Sequence, residues 1–171
     1  MKQEKKKENS IKEDLLFLVL KIFIFAALLA VTFLFLFGIC RVGDNMMSPA
    51  FKDGDLAVYY RLQKEFMPSD TVVLEKDGET QVRRIIAAAG DEVNLTEDGL
   101  EINGYLQQEQ EIYTETLPYT GGITFPVTVG QDEYFVLGDH RTNAKDSRMY
   151  GVVKKEEIKG AVITLLRRRG F

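Results

Sequence analysis

The sequence predicts a mostly-β domain carried on a single N-terminal transmembrane helix, and three observations predict it. Ile22–Cys40 (IFIFAALLAVTFLFLFGIC) is an unbroken apolar run, long enough for roughly 30 Å of hydrocarbon at about 1.5 Å per residue. Beyond Cys40 the texture changes to short runs rich in Val, Ile, Leu and Tyr, separated by turn residues. Asp98-Gly99 and Asn103-Gly104 bracket Leu100–Ile102, a hairpin pattern. A chain of 171 residues has room for one such domain with a packed core as well as the helix.

Residues 1–14 (MKQEKKKENSIKED) are polar and Lys-rich, and read as a short irregular cytoplasmic tail. Residues 15–40 are apolar apart from Lys21, which can snorkel toward headgroups, and form the predicted membrane helix. The Lys cluster ahead of it places the N-terminus inside and residues 41–171 outside. A cleaved signal peptide would have a shorter apolar core and small residues at its cleavage site. Ile39 and Cys40 follow Gly38 here, which favours a retained anchor over both a cleaved leader and a lipoprotein.

Strands are expected at Leu56–Tyr60, Thr71–Glu75, Gln81–Ala87, Glu92–Leu95, Leu100–Ile102, Ile123–Val129 and Glu133–Leu137. Lys155–Lys159 reads as one helical turn, and Ala161–Leu166 as a last buried strand. Residues 107–122 are the least regular and read as an inserted loop or small cap.

The net charge of −4 hides an asymmetry. Residues 1–40 hold six Lys against four acids, leaving sixteen basic and twenty-two acidic residues beyond them. An acidic remainder argues against nucleic acid as a partner. The single Cys40 allows no internal disulfide. His140 is the sole histidine, which argues against a metal site and makes it a hydrogen-bonding turn residue. No residue pattern calls for a cofactor.

Four blocks carry chemistry. They are Gly43–Asp55 (GDNMMSPAFKDGD), Gln81–Asp91 (QVRRIIAAAGD), the Asp98–Gly104 hairpin (DGLEING) and Tyr134–Gly151 (YFVLGDHRTNAKDSRMYG). In order and spacing they resemble the boxes of the type I signal peptidases over essentially the whole chain, anchor included. Met47, Pro49, Gly54 and Asp55 match the first box. Arg84, Ile86, Gly90 and Asp91 match the second. Gly138, Asp139, Arg141, Asn143, Asp146, Ser147, Arg148 and Gly151 match the last, with His140 standing for Asn. The resemblance implies a signal peptidase-like β-fold. It also implies that Met46 stands at the nucleophilic Ser, Arg83 at the general-base Lys, Ala144 at a Ser that steadies that Lys, and Asp44 at an oxyanion-supporting residue. Asp139, Asp146 and Arg148 keep structural roles by the same resemblance, the last two as an ion pair.

A Ser–Lys dyad requires a hydroxyl that loses a proton and a neutral amine that takes it. A thioether has no proton to lose, and a guanidinium stays protonated with a pKa above about 12. These substitutions predict that the chain is not an enzyme. A non-catalytic binding factor is then expected, its peptide groove lined by Met46, Met47, Ser48, Pro49, Arg83 and Ile85. Degenerate signal peptidase-like proteins that accompany pilin and sortase in Gram-positive pilus assembly supply the implied role, with a pilin precursor as client. Two alternatives stay open. One is a vestigial scaffold whose groove is filled by residues 107–122. The other is an active peptidase using Ser48, which faces the same side as Met46 in an extended segment but lacks an evident base. Opposite charges at the two dyad positions predict an Asp44–Arg83 ion pair, refuted by a separation well beyond about 4 Å. Arg167–Arg169 reads as a solvated basic tail.

Overall fold

The computed structural model describes residues 2–109 and 112–167, with side chains from Asp14 onward. The chain divides into two units, 1–36 and 37–171. The first is one helix, α1 (Lys2–Leu36). Its 23-residue segment Asp14–Leu36 is long and apolar enough to cross a membrane, and its side chains are exposed. The helix takes in residues expected as an irregular tail: Lys and Glu, which dominate there, are good helix formers.

The membrane helix expected over 15–40 ends at Leu36 instead, and the difference has a physical cause. Phe37–Arg41 leaves the helix as β1, pairing antiparallel with β2 (Leu56–Tyr60). Alternation takes over at once: Gly38 and Cys40 are buried while Ile39 faces outward. Gly38 lies beneath Tyr59, so close that a Cβ there would sit 2.2 Å from the ring. Hydrophobicity alone does not separate these strand residues from the helix, because both are apolar.

The remaining strands are β3 (Thr71–Lys76), β4 (Glu79–Ala87), β5 (Glu92–Thr96), β6 (Gly99–Ile102), β7 (Tyr105–Leu106), β8 (Val127–Thr128), β9 (Glu133–Leu137), β10 (Val153–Lys154) and β11 (Ile158–Leu166). One short helix, α2, covers Ser147–Tyr150, and 3₁₀ turns cover Arg141–Asn143 and Lys155–Glu157. A seven-stranded sheet runs β1-β2-β11-β3-β4-β9-β10, and a four-stranded sheet runs β7-β6-β5-β8. The mostly-β fold class is therefore as the sequence predicts.

β3 sits inside the larger sheet and is buried on both faces, which is why Val72, Val73 and Leu74 are consecutive, apolar and inaccessible. Val72 and Leu74 pack with Phe66, Ile85, Tyr134 and Val136, whereas Val73 packs with Met47, Phe51, Tyr59 and Val82. Each such side chain contributes about 1.5–3 kcal/mol on burial. A third cluster, around Phe135, Leu137, Val93 and Val129, joins the small sheet.

Two strand expectations change. Ile123–Val129 shrinks to Val127–Thr128, because Pro126 has no N–H to give the ladder. The last strand starts earlier, at Ile158, and its far half is not buried: Ile163 and Leu166 are exposed.

Candidate functional site

The site begins with a turn. Residues 44–50 form bends and turns rather than the extended segment expected for Ser48. Ser48 N–H donates to Asn45 O (3.0 Å) and Phe51 N–H to Met47 O (2.9 Å). The turn sends Met47 into the core, fully buried against Val73 and Val82, and leaves Met46 and Ser48 half-buried on one side. Ser48 does share a face with Met46, as expected, but through a turn and not through strand alternation.

β4 supplies Arg83, whose side chain is 1% exposed. β3 pairs with β4 along one edge (Val72 opposite Arg83), and β9 pairs along the other. The guanidinium is held by backbone on two sides: Nε donates to Lys145 O (2.9 Å) and Nη1 to Val82 O (2.6 Å). Its third nitrogen, Nη2, donates to Met46 Sδ (2.9 Å) and lies 3.5 Å from Asp44 Oδ2, so the expected Asp44–Arg83 pair forms. Lys145 N–H gives the thioether a second donor (3.2 Å). Asp44 Oδ1 accepts from Met46 N–H (2.8 Å). The four positions assigned to catalysis by resemblance are thus joined: Met46, Arg83 and Asp44 by direct contacts, and Ala144 through the turn beside them.

That turn follows β9. Gly138 permits it, since a Cβ there would lie 2.5 Å from the Ala144 methyl and 2.6 Å from Met46 O. His140 N–H then donates to Met46 O (2.9 Å), docking this turn on the Met46 turn. Asp139 takes a bidentate pair from Arg84 (2.8 and 2.6 Å). Asp146 caps α2, accepts from Gly138 N–H (3.1 Å), and pairs with Arg148 at 2.8 Å with both side chains sealed from solvent. The structural roles expected of Asp139, Asp146 and Arg148 are visible in these contacts.

Residues 107–122 carry no regular structure among those described beyond isolated turns, yet three points pin them. Arg141, fully buried, grips Glu109 through both terminal nitrogens (2.5 Å each) and Thr116 Oγ1 (2.6 Å). Arg148 donates to Leu117 O (3.1 Å) and stacks 4.2 Å over the Tyr119 ring. Tyr119 Oη accepts from Ala144 N–H (2.9 Å) and donates to Arg141 O (3.1 Å). Arg141 was missed as an anchor because its partner, Glu109, lies in the stretch with the weakest pattern.

Two cavities result. One of about 280 Å³ is lined by Asp44, Asn45, Met46, Ser48, His140 and Asn143. The other, about 490 Å³, runs beside β4, with Ile85, Ile86, Leu100 and Ile102 on one side and residues 107–109 and Ile112 on the other. Of the six groove residues expected, Met46 and Ser48 line the first; Ile85 borders the second, but its side chain is buried in the core with Val72, Leu74 and Val136. Met47 and Arg83 are corrected: the first is core, and the second is too buried to line an open groove. Pro49 is exposed and lines neither. His140 was expected as a turn residue only, and its place in the cavity follows from the docking of one turn on another, which sequence spacing does not show.

A mostly-β domain whose paired boxes meet at one centre, on a chain with an apolar N-terminal helix, defines a class of membrane peptidase-like proteins. Comparison gives the class its name: the family described as "Signal peptidase, peptidase S26" matches residues 15–166, and the chain belongs to it. Signal peptidase I of Bacillus licheniformis is 33% identical, across 92% of this chain and 90% of its own length. Signal peptidase I of Bacillus amyloliquefaciens is 34% identical, across 94% and 91%. A solved signal peptidase I from Enterococcus faecalis aligns with 58% of this chain and 97% of its own at 27% identity, TM-score 0.47. The two Bacillus matches correct the expectation that the chain is not an enzyme. Relatives matched over more than nine-tenths of it are themselves named peptidases, and the residue types at positions 46 and 83 do not remove it from that class.

Proposed function

We propose that this protein holds the extended segment of an exported precursor at the membrane surface, with pilin precursors as its clients and a sortase as the neighbouring machinery. The observation that carries the reading is the open groove of about 490 Å³ beside β4, where the half-buried Ile86 and Ile102 lie among polar Ser69, Arg84, Gln107 and Glu109. A strand-like peptide buries alternate side chains in such a groove. Among the described residues, 107–109 and Ile112 border the groove rather than fill it, which favours a binding role over a vestigial scaffold. The Lys-rich residues ahead of α1 favour a cytoplasmic N-terminus, leaving residues 41 onward on the side where exported precursors emerge. The family supports a precursor as ligand; the pilin client rests on the resemblance of the degenerate boxes.

The test is photo-crosslinking in membranes from position 86, with a pilin precursor and a generic secreted precursor offered side by side. Capture of the pilin precursor in preference supports the reading. Equal capture of both removes the pilin client, and capture of neither removes the groove.

A further inference from the structure

Met46 and Arg83 cannot supply a nucleophile and a base, yet the cavity beside them holds another set of reactive groups. Ser48 and His140 both line the 280 Å³ space, and neither side chain is hydrogen-bonded to another described residue. Asn143 also opens on it, with its carboxamide free among the described residues. Asn45 Oδ1 accepts from Asp53 N–H (3.1 Å), which fixes the orientation of that amide and leaves its NH₂ as a donor. The charged groups nearby are already engaged: Asp44 with Arg83 and Met46 N–H, and Asp139 with Arg84. An uncommitted hydroxyl, an uncommitted imidazole and two carboxamide donors therefore share one small cavity.

We infer that Ser48 is the acyl-accepting nucleophile and His140 its general base, with Asn143 and Asn45 as donors to the oxyanion, acting on the peptide carbonyl of an extended substrate. This rests on the precursor-binding reading above. In the first step Ser48 Oγ bonds to the carbonyl carbon while its proton passes to a ring nitrogen of His140. The C–N bond then breaks, and the imidazolium returns the proton to the departing amine. In the second step water attacks the ester, His140 takes a water proton, and Oγ leaves with that proton as the acid is released. Only water is consumed. The pair need not be hydrogen-bonded before substrate arrives, because such contacts often close only in the complex. The bound thioether keeps Arg83 turned away from this chemistry: its guanidinium is occupied by Met46 Sδ, Lys145 O, Val82 O and Asp44.

Full-length protein in proteoliposomes is treated with a fluorophosphonate probe, and adducts are mapped by mass spectrometry. The expected result is an adduct at Ser48, absent in Ser48→Ala. In His140→Ala labelling should fall by about 10²-fold or more, and added imidazole should restore it, which also shows that the variant is folded. No adduct at Ser48, or labelling undiminished in His140→Ala, overturns the assignment. Wild-type protein that crosslinks the precursor from position 86 but gives no Ser48 adduct overturns this inference alone. An adduct without crosslinking overturns the binding reading instead.

Discussion

Two ion pairs, both built on an arginine whose side chain is 1% exposed, divide the molecule into a frame and a centre. Arg148 meets Asp146 at 2.8 Å, and that carboxylate is itself sealed from solvent and saturated by Gly138 N–H and Arg148 N–H. Arg83 meets Asp44 at 3.5 Å, and that carboxylate is 30% exposed at the rim of a cavity. The first pair closes a structure; the second leaves one side open. The difference teaches which carboxylate is committed to structure and which remains accessible. Both arginines answer to several fixed partners, but Asp146 has all of its own inside the protein whereas Asp44 keeps one side open to the cavity.

The frame should break hardest. Asp146→Ala strands a buried guanidinium and two backbone donors, and should cost about 3–5 kcal/mol in denaturant unfolding. A loss under about 1 kcal/mol would put Asp146 on a par with the surface and erase the contrast. Glu109→Gln should cost about 2 kcal/mol, less because that carboxylate is partly exposed. Its clearest readout is faster proteolysis within residues 107–122. Asp44→Asn should cost only about 1 kcal/mol, since Arg83 keeps its two backbone acceptors. An effect as large as that of Asp146→Ala would make the centre part of the frame.

The smallest effect is set by pH. The Arg167 guanidinium, hydrogen-bonded to Asp55 at 2.9 Å, holds that carboxyl below its usual value. A depressed carboxylate contributes stability that is fully present above the unfolded pKa and fades as pH falls through the folded one. Unfolding curves from pH 6 down to pH 3 should therefore show an acid-side loss that Arg167→Gln makes shallower. An unchanged acid limb in that variant would remove Asp55 from the linkage.

Much of the frame was legible. Leu56–Tyr60 matches β2 at both ends, the hairpin at residues 99–106 forms, and Asp146–Arg148 pairs as its motif implies. The first two depend on alternation and turn chemistry, and the third on the resemblance of the last box to the family's. What was not legible depends on distant segments meeting. Phe37–Arg41 needed β2 to become a strand, and Met47 was drawn inward by a turn that period-two reasoning does not see. His140 reached its cavity only because Gly138 lets two turns touch. Of the basic tail, Arg167 is engaged by Asp55 and Ala50 O rather than solvated, while Arg168 and Arg169 lie outside the described residues.

The pinning of residues 107–122 has a consequence for how the protein survives damage. Tyr113 is 79% exposed, an accessible place for a protease to cut. On its N-terminal side the chain is gripped at Glu109 by Arg141; on its C-terminal side Leu117 and Tyr119 are gripped by Arg148. A single cut there leaves two polypeptides still joined by the Glu109–Arg141 pair and by the β2–β11 and β4–β9 ladders. The nicked protein should migrate as one species under native conditions and as two only after denaturation.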